Sequence, residues 1–329
     1  MVRIRIIVIA VLLVSASATC HAQRRDDGVE TITFRDLENC IRLFNPTTSV
    51  VIDPATGGRV VEYALNDVDA LYHAPKYPPE GVNAIMPDAG RFDIGPEQTS
   101  PRRVELWRGP YEVEITEPRS VRLTSRRDEK STGVQLVRDF KLDPRTSHLA
   151  CTQTIINISG SEKRYNHWSR TLAKGGGICI VPLTPEYSRF PLGYIYYEGG
   201  ALKYRHEPHE NIRVRDNYLE LLGTPPQPKF GIDSYAGWFG YITTDDLLFV
   251  KKFPADSHRR YGEVAAYTIS LWYYLNETCE LEPIGPTEFL APGGRASFTE
   301  DWWLLPYEYP EDKTVDLKSF EQYVTGNTN

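Results

Sequence analysis

From residue 31 to about residue 310 the chain is a succession of short apolar and β-branched runs, each cut off within a few residues by Pro, Gly, Asn or Asp. Runs of this length bounded by turn formers read as strands, and no stretch between them carries a long helical period. Among them are residues 41–45, 49–53, 59–65, 104–106, 111–117, 134–142, 148–158, 163–171, 238–243, 247–252, 265–275, 279–283 and 295–304. In residues 152–157, Thr152, Thr154 and Ile156 alternate with Gln153, Ile155 and Asn157, as in an antiparallel sheet with one face lining a groove. The expectation is all-β, a large antiparallel sandwich, and not an α/β sheet with crossover helices. No linker or repeat divides residues 31–310, so one domain is expected. The one helical pattern, residues 316–323 (DLKSFEQY), opens on an Asp cap and reads as a surface appendage within a tail of residues 311–329.

The N-terminus has a different grammar. Arg3 and Arg5 precede an apolar run at 6–14, and small residues follow up to Cys20-His21-Ala22. This predicts a signal peptide over residues 1–22, a flexible leader over 23–30, and a secreted or periplasmic protein with no membrane insertion after processing. A lipid anchor at Cys20 is the alternative, although Ser17-Ala18-Thr19 lacks the Leu such a site requires. In an oxidising compartment Cys40, Cys151, Cys179 and Cys279 would form up to two disulfides, in three connectivities, or remain buried thiols. No C-x-x-C, C-x-x-H or H-E-x-x-H spacing occurs, so no motif calls for a metal or cofactor. The formal charge of −7 is spread over both signs with no basic stripe, which argues against nucleic acid as a partner. The 20 Tyr and 6 Trp suit strands, and also platforms for sugar rings.

Two segments concentrate the chemistry. Residues 50–72 (VVIDPATGGRVVEYALNDVDALY) give strand, Pro-x-x-Gly-Gly turn, strand, Asn-Asp turn and strand; residues 156–177 carry Asn166-His167-Trp168. A neutral imidazole can exchange a proton while an indole face holds a sugar. Near the C-terminus stand Glu280-Leu281-Glu282-Pro283-Ile284-Gly285-Pro286, Leu290-Ala291-Pro292-Gly293-Gly294 and Glu300-Asp301-Trp302-Trp303. Together these resemble the galactose mutarotase-like superfamily, in particular the group catalogued as DUF4380.

The resemblance implies a β-supersandwich that binds a carbohydrate, with aldose 1-epimerase-like chemistry in which His167 is the acid and Glu282 the base. Asn157, Ser159, Asn166 and His167 match the family's pattern, whereas Trp-Ser-Arg-Thr-Leu follows His167 where the epimerases have Ser-Tyr-Phe-Asn-Leu. The epimerases' further first-half His is absent; residues 88–97 stand in its place, with Arg91 and Asp93 positioned to clasp vicinal hydroxyls. Trp168 and Trp238 are candidate stacking platforms, Asn166 a hydroxyl ligand, and Lys251 a partner for a sugar carboxylate. Two alternatives stay open: a non-catalytic carbohydrate-binding module, and a polysaccharide lyase or glycosidase.

Overall fold

The computed structural model describes residues 27–74, 88–205 and 207–328. The expected signal peptide, its Cys20 alternative and the first half of the leader lie outside them. The first strand, Val29–Phe34, begins two residues before the expected domain start.

Two antiparallel sheets face each other. The larger runs, edge to edge, Val29–Phe34, Leu37–Phe44, Thr48–Asp53, Arg59–Leu65, Gly90–Gly95, Lys163–Lys174, Thr278–Pro283, Ile269–Tyr274, Lys229–Ile232, Tyr194–Glu198 and Ala201–Lys203. Val68–Asp69 and Glu288–Leu290 pair beside this path and bring the sheet to thirteen strands. The second has ten: Ile212–Arg215, Tyr218–Leu221, Ile178–Pro182, Trp238–Ile242, Leu247–Lys252, Arg295–Pro306, Leu149–Asn157, Val134–Leu142, Ser120–Ser125 and Tyr111–Glu117. Inward positions of both interdigitate in one core, with Trp302 stacked on Phe92 at 5.7 Å and set edge-on to Phe249 at 5.4 Å. The all-β sandwich expected from the turn-punctuated strands is the observed fold.

Polar side chains also cross that core. Lys251, fully buried, donates to Ser169 Oγ (2.9 Å), Thr171 Oγ1 (2.7 Å), the Leu281 carbonyl (3.0 Å) and Glu300 Oε2 (3.1 Å). Arg138 donates to Gln153 Oε1 at 3.0 Å and to the carbonyls of Gly57, Gly58 and Phe92. Each joins one sheet to the other, so burial of the charge is offset by a full set of acceptors.

Two expectations are corrected, and one strand lies outside the expected runs. Residues 104–106 belong to a short helix, Val104–Arg108, closed by the Gly109 N–H donating to the Glu105 carbonyl. Residues 88–97 are largely a strand, Gly90–Gly95, the partner of Lys163–Lys174. The C-terminal helix, Leu317–Asn327, is no appendage: Leu317, Phe320 and Val324 cover Ile180, Ile242, Val250 and Trp303 on the outer face of the ten-stranded sheet. Its Asp316 accepts from the Ser319 N–H, as the sequence predicts. All four described cysteines are buried free thiols.

Candidate functional site

Alternation along Lys163–Lys174 sorts the predicted residues. Asn166, Trp168 and Arg170 point to the outer face of the thirteen-stranded sheet, and His167, Ser169 and Thr171 point into the sandwich. On neighbouring strands Arg91, Asp93, Glu280 and Glu282 share the outer face, with Trp168 opposite Asp93 and Arg170 opposite Arg91. The sheet therefore brings together Arg91, Asp93, Asn166, Trp168 and Glu282.

His167 lies on the other side. Its ring stacks on Phe298 of the opposite sheet at 5.6 Å, and Nδ1 is 3.5 Å from Gln153 Nε2. Burial drives its pKa down from 6.5 to about 3, so the imidazole is neutral and has no route to a ligand on the outer face. The expected His167–Glu282 acid–base pair is corrected on this geometry. Lys251 is likewise inside the core and Trp238 is elsewhere, beneath the C-terminal helix at 6.2 Å from Phe320. Arg91 and Asp93 do not clasp a common partner: Arg91 Nη2 meets Asp88 at 3.2 Å, and Asp93 takes Arg103 in a two-point contact at 2.5 and 2.7 Å.

The centre of the face is a residue the sequence reading passed over. The Arg170 guanidinium sits 4.6 Å from the Trp168 ring and 5.2 Å from the Trp107 ring. Its Nε lies 2.9 Å from Glu280 and 3.4 Å from Glu282. Lys229 completes the cluster, 3.0 Å from Glu282, 3.8 Å from Glu97 and 5.4 Å from the Trp168 ring. Trp168 is thus capped by two cations and wholly buried, and its indole is a base for Arg170 rather than a free platform. Although burial opposes ionisation of both carboxyls, Lys229 and Arg170 together hold Glu282 below the ordinary carboxylate range. Glu280, with less cationic company, is pushed up by burial.

Two clefts open on either side of Arg170. One, about 340 Å³, is lined by Glu97, Gln98, Arg170, Tyr197, Lys229, Trp272 and Glu280. The other, about 280 Å³, is lined by Asp93, Arg102, Arg103, Val104, Trp107, Arg108 and Arg170. Trp272 stacks flat on Tyr274 at 4.9 Å, which leaves a rigid half-exposed indole at the first cleft. Beside it, Glu263 accepts the Glu97 N–H on both oxygens at 3.1 Å and Asn166 Nδ2 at 3.3 Å; burial raises its pKa from 4.5 to about 7.

Five buried polar atoms of this face have no hydrogen-bond partner among the described residues: Arg91 Nε, Asn166 Oδ1, Trp168 Nε1, Ser270 Oγ and Glu282 Oε1, the last of them in ionic reach of Arg170 at 3.4 Å. Buried polar atoms are nearly always paired, and each unpaired one costs about 1–3 kcal/mol. They lie on four adjacent strands of the larger sheet.

The fold this architecture defines is shared with galactose mutarotase-like proteins of known structure. Among similar solved structures, the protein Slr1438 from Synechocystis sp. PCC 6803 matches with a TM-score of 0.58 at 13% identity, over 84% of this chain and 99% of that one. A galactose mutarotase-like protein from Lactobacillus casei ATCC 334 gives 0.56 at 11% identity, over 81% and 100%. A galactose mutarotase related enzyme from Lactobacillus acidophilus gives 0.57 at 10% identity, over 82% and 98%. No protein-family model matches the sequence, and no curated protein matches it. No helix among the described residues is long and apolar enough to cross a membrane.

Proposed function

We propose that this chain is an exported carbohydrate-binding protein of mutarotase-like type, of the DUF4380 kind, whose sugar lies on the outer face of the larger sheet against Arg170 and Trp272. The observation that carries this reading is the Arg170 cluster. A guanidinium fixed between two indoles and two carboxylates is pre-organised to present its remaining donors to hydroxyls, and it opens onto clefts on both sides. The fold shared with galactose mutarotase-like proteins and the unpartnered atoms beneath Arg170 support it. Export rests on the N-terminal pattern of residues 1–22.

One observation favours chemistry as well as binding. Glu263, with a pKa near 7, sits one hydrogen bond from cleft residue Glu97, and a carboxyl of that pKa both gives and takes protons near neutrality. In an epimerase-like reaction Glu263 would then fill the acid role that the buried His167 does not.

Calorimetric titration with a panel of mono- and oligosaccharides tests the binding reading. Trp272→Ala and Arg170→Gln should each weaken the ligand found by about 2 kcal/mol, roughly thirtyfold, as for central interface anchors. His167→Gln should leave affinity unchanged. Equal affinity in all three variants, or loss in His167→Gln alone, would remove the outer face from the account. Exchange of the anomers followed by NMR, with Glu263→Gln as the control, decides whether the site also catalyses.

A further inference from the structure

The two clefts differ in charge in a way that names a class of sugar. The cleft at Trp107 holds four guanidinium groups, from Arg102, Arg103, Arg108 and Arg170, against a single lining carboxylate, Asp93. Asp93 is consumed by Arg103 in the two-point contact, and Arg170 is engaged by Glu280 and Glu282. Arg102 and Arg108 have no acidic partner among the described residues; Arg102 precedes the short Val104–Arg108 helix by two residues, Arg108 ends it, and both line the cleft with Trp107. The other cleft is balanced, since Lys229 and Arg170 face Glu97 and Glu280, and it carries the flat Trp272–Tyr274 stack. One side of Arg170 is therefore built for a neutral ring face and the other for an oxyanion.

We infer that the ligand is an acidic oligosaccharide spanning both clefts, with one sugar on Trp272 and an adjacent sugar's carboxylate or sulfate between Arg102 and Arg108. This rests on the reading of the outer face as a sugar site and adds the substrate class. Arg170, shared by the two clefts, would sit beneath the linkage. Planar guanidinium forks suit an oxyanion held at two points, and the half-buried Arg108 is less screened by solvent than an ordinary surface charge. The Trp168 ring lies 4.6 Å from Arg170, and its N–H is buried with no partner among the described residues.

The test uses a glycan array of uronate oligosaccharides (galacturonate, glucuronate and mannuronate series), each printed beside its fully methyl-esterified form, with sulfated galactans as a second anionic arm. Hits are quantified by calorimetry at low and high salt. The proposal expects binding to a uronate or a sulfated series, whichever supplies the oxyanion. Esterification or desulfation should weaken it at least about tenfold, as should Arg102→Ala combined with Arg108→Ala, in line with removal of charged partners at an interface. Trp272→Ala should weaken charged and neutralised forms alike. Equal binding of acidic and esterified forms, or a double variant that binds like the parent, would overturn the acidic class while leaving the sugar site standing. No binding to any glycan would overturn both. Arg102 is exposed and Arg108 half-exposed, so the double variant should fold, and an unchanged thermal transition verifies it.

Discussion

His167 and Trp168 are adjacent in the chain, yet one looks into the sandwich and the other away from it, and this single parity decides what each residue can do. The two sides carry titrations of opposite sign. His167 falls to about 3 in the folded protein from 6.5, so from pH 6.5 down to 3 the unfolded chain takes up a proton that the folded chain refuses, and stability is lost as pH falls. Glu263 rises to about 7 from 4.5, so from pH 4.5 to 7 the folded chain holds the extra proton, and stability is lost as pH rises, by roughly 3 kcal/mol in total. Over pH 4.5–6.5 the two slopes oppose each other. Urea denaturation at several pH values should show Glu263→Gln more stable than the parent at pH 8 and steeper in its dependence between 4.5 and 6.5. His167→Phe should tilt the other way, losing stability as pH rises through that window. Parallel curves for parent and both variants would refute these assignments.

At the scale of elements, strand order was less legible than strand content. Turn residues betray where strands begin and end, so most of the runs were visible; Gly90–Gly95 was hidden because its Gly, Arg and Asp residues mimic a loop. The same strand explains why the site was only half legible. Lys163–Lys174 is central, and all of Tyr165 to Ser169 is buried on either parity, so polarity there no longer tells inside from outside. Arg170 stood in plain view, two residues past Trp168 on the same parity, but its meaning comes from Glu280 and Trp107, which only the folded sheet sets beside it. The terminal helix was legible in its cap and illegible in its target. Because Phe320 seals an apolar sheet face, Phe320→Ala should cost about 3–5 kcal/mol, whereas loss of the cap in Asp316→Ala should cost about 1 kcal/mol. Chemical denaturation measures both, and a mild Phe320→Ala would return the helix to the status of an appendage.

Taken whole, the molecule separates its ionic work into two layers. Inside, Lys251, paired with Glu300 of its own sheet, holds Ser169, Thr171 and Leu281 of the other; outside, Arg170 and Lys229 serve a face that opens to solvent. Lys251→Met leaves Glu300 buried without its cation and should cost about 3–5 kcal/mol, most of it recovered when Glu300→Gln is added, with no change in sugar affinity from the double variant. A loss of affinity there would mean that the two layers are one site. The central claim, that a sugar binds on the outer face of the larger sheet, is tested most directly by a crystal structure of the full chain soaked with its best glycan from the array. The account predicts sugar density against Trp272 and within hydrogen-bond reach of Arg170, extending toward Arg102 and Arg108. Density seated instead in the cavity beside Phe190 and Leu192, or over the face covered by the C-terminal helix, would contradict it.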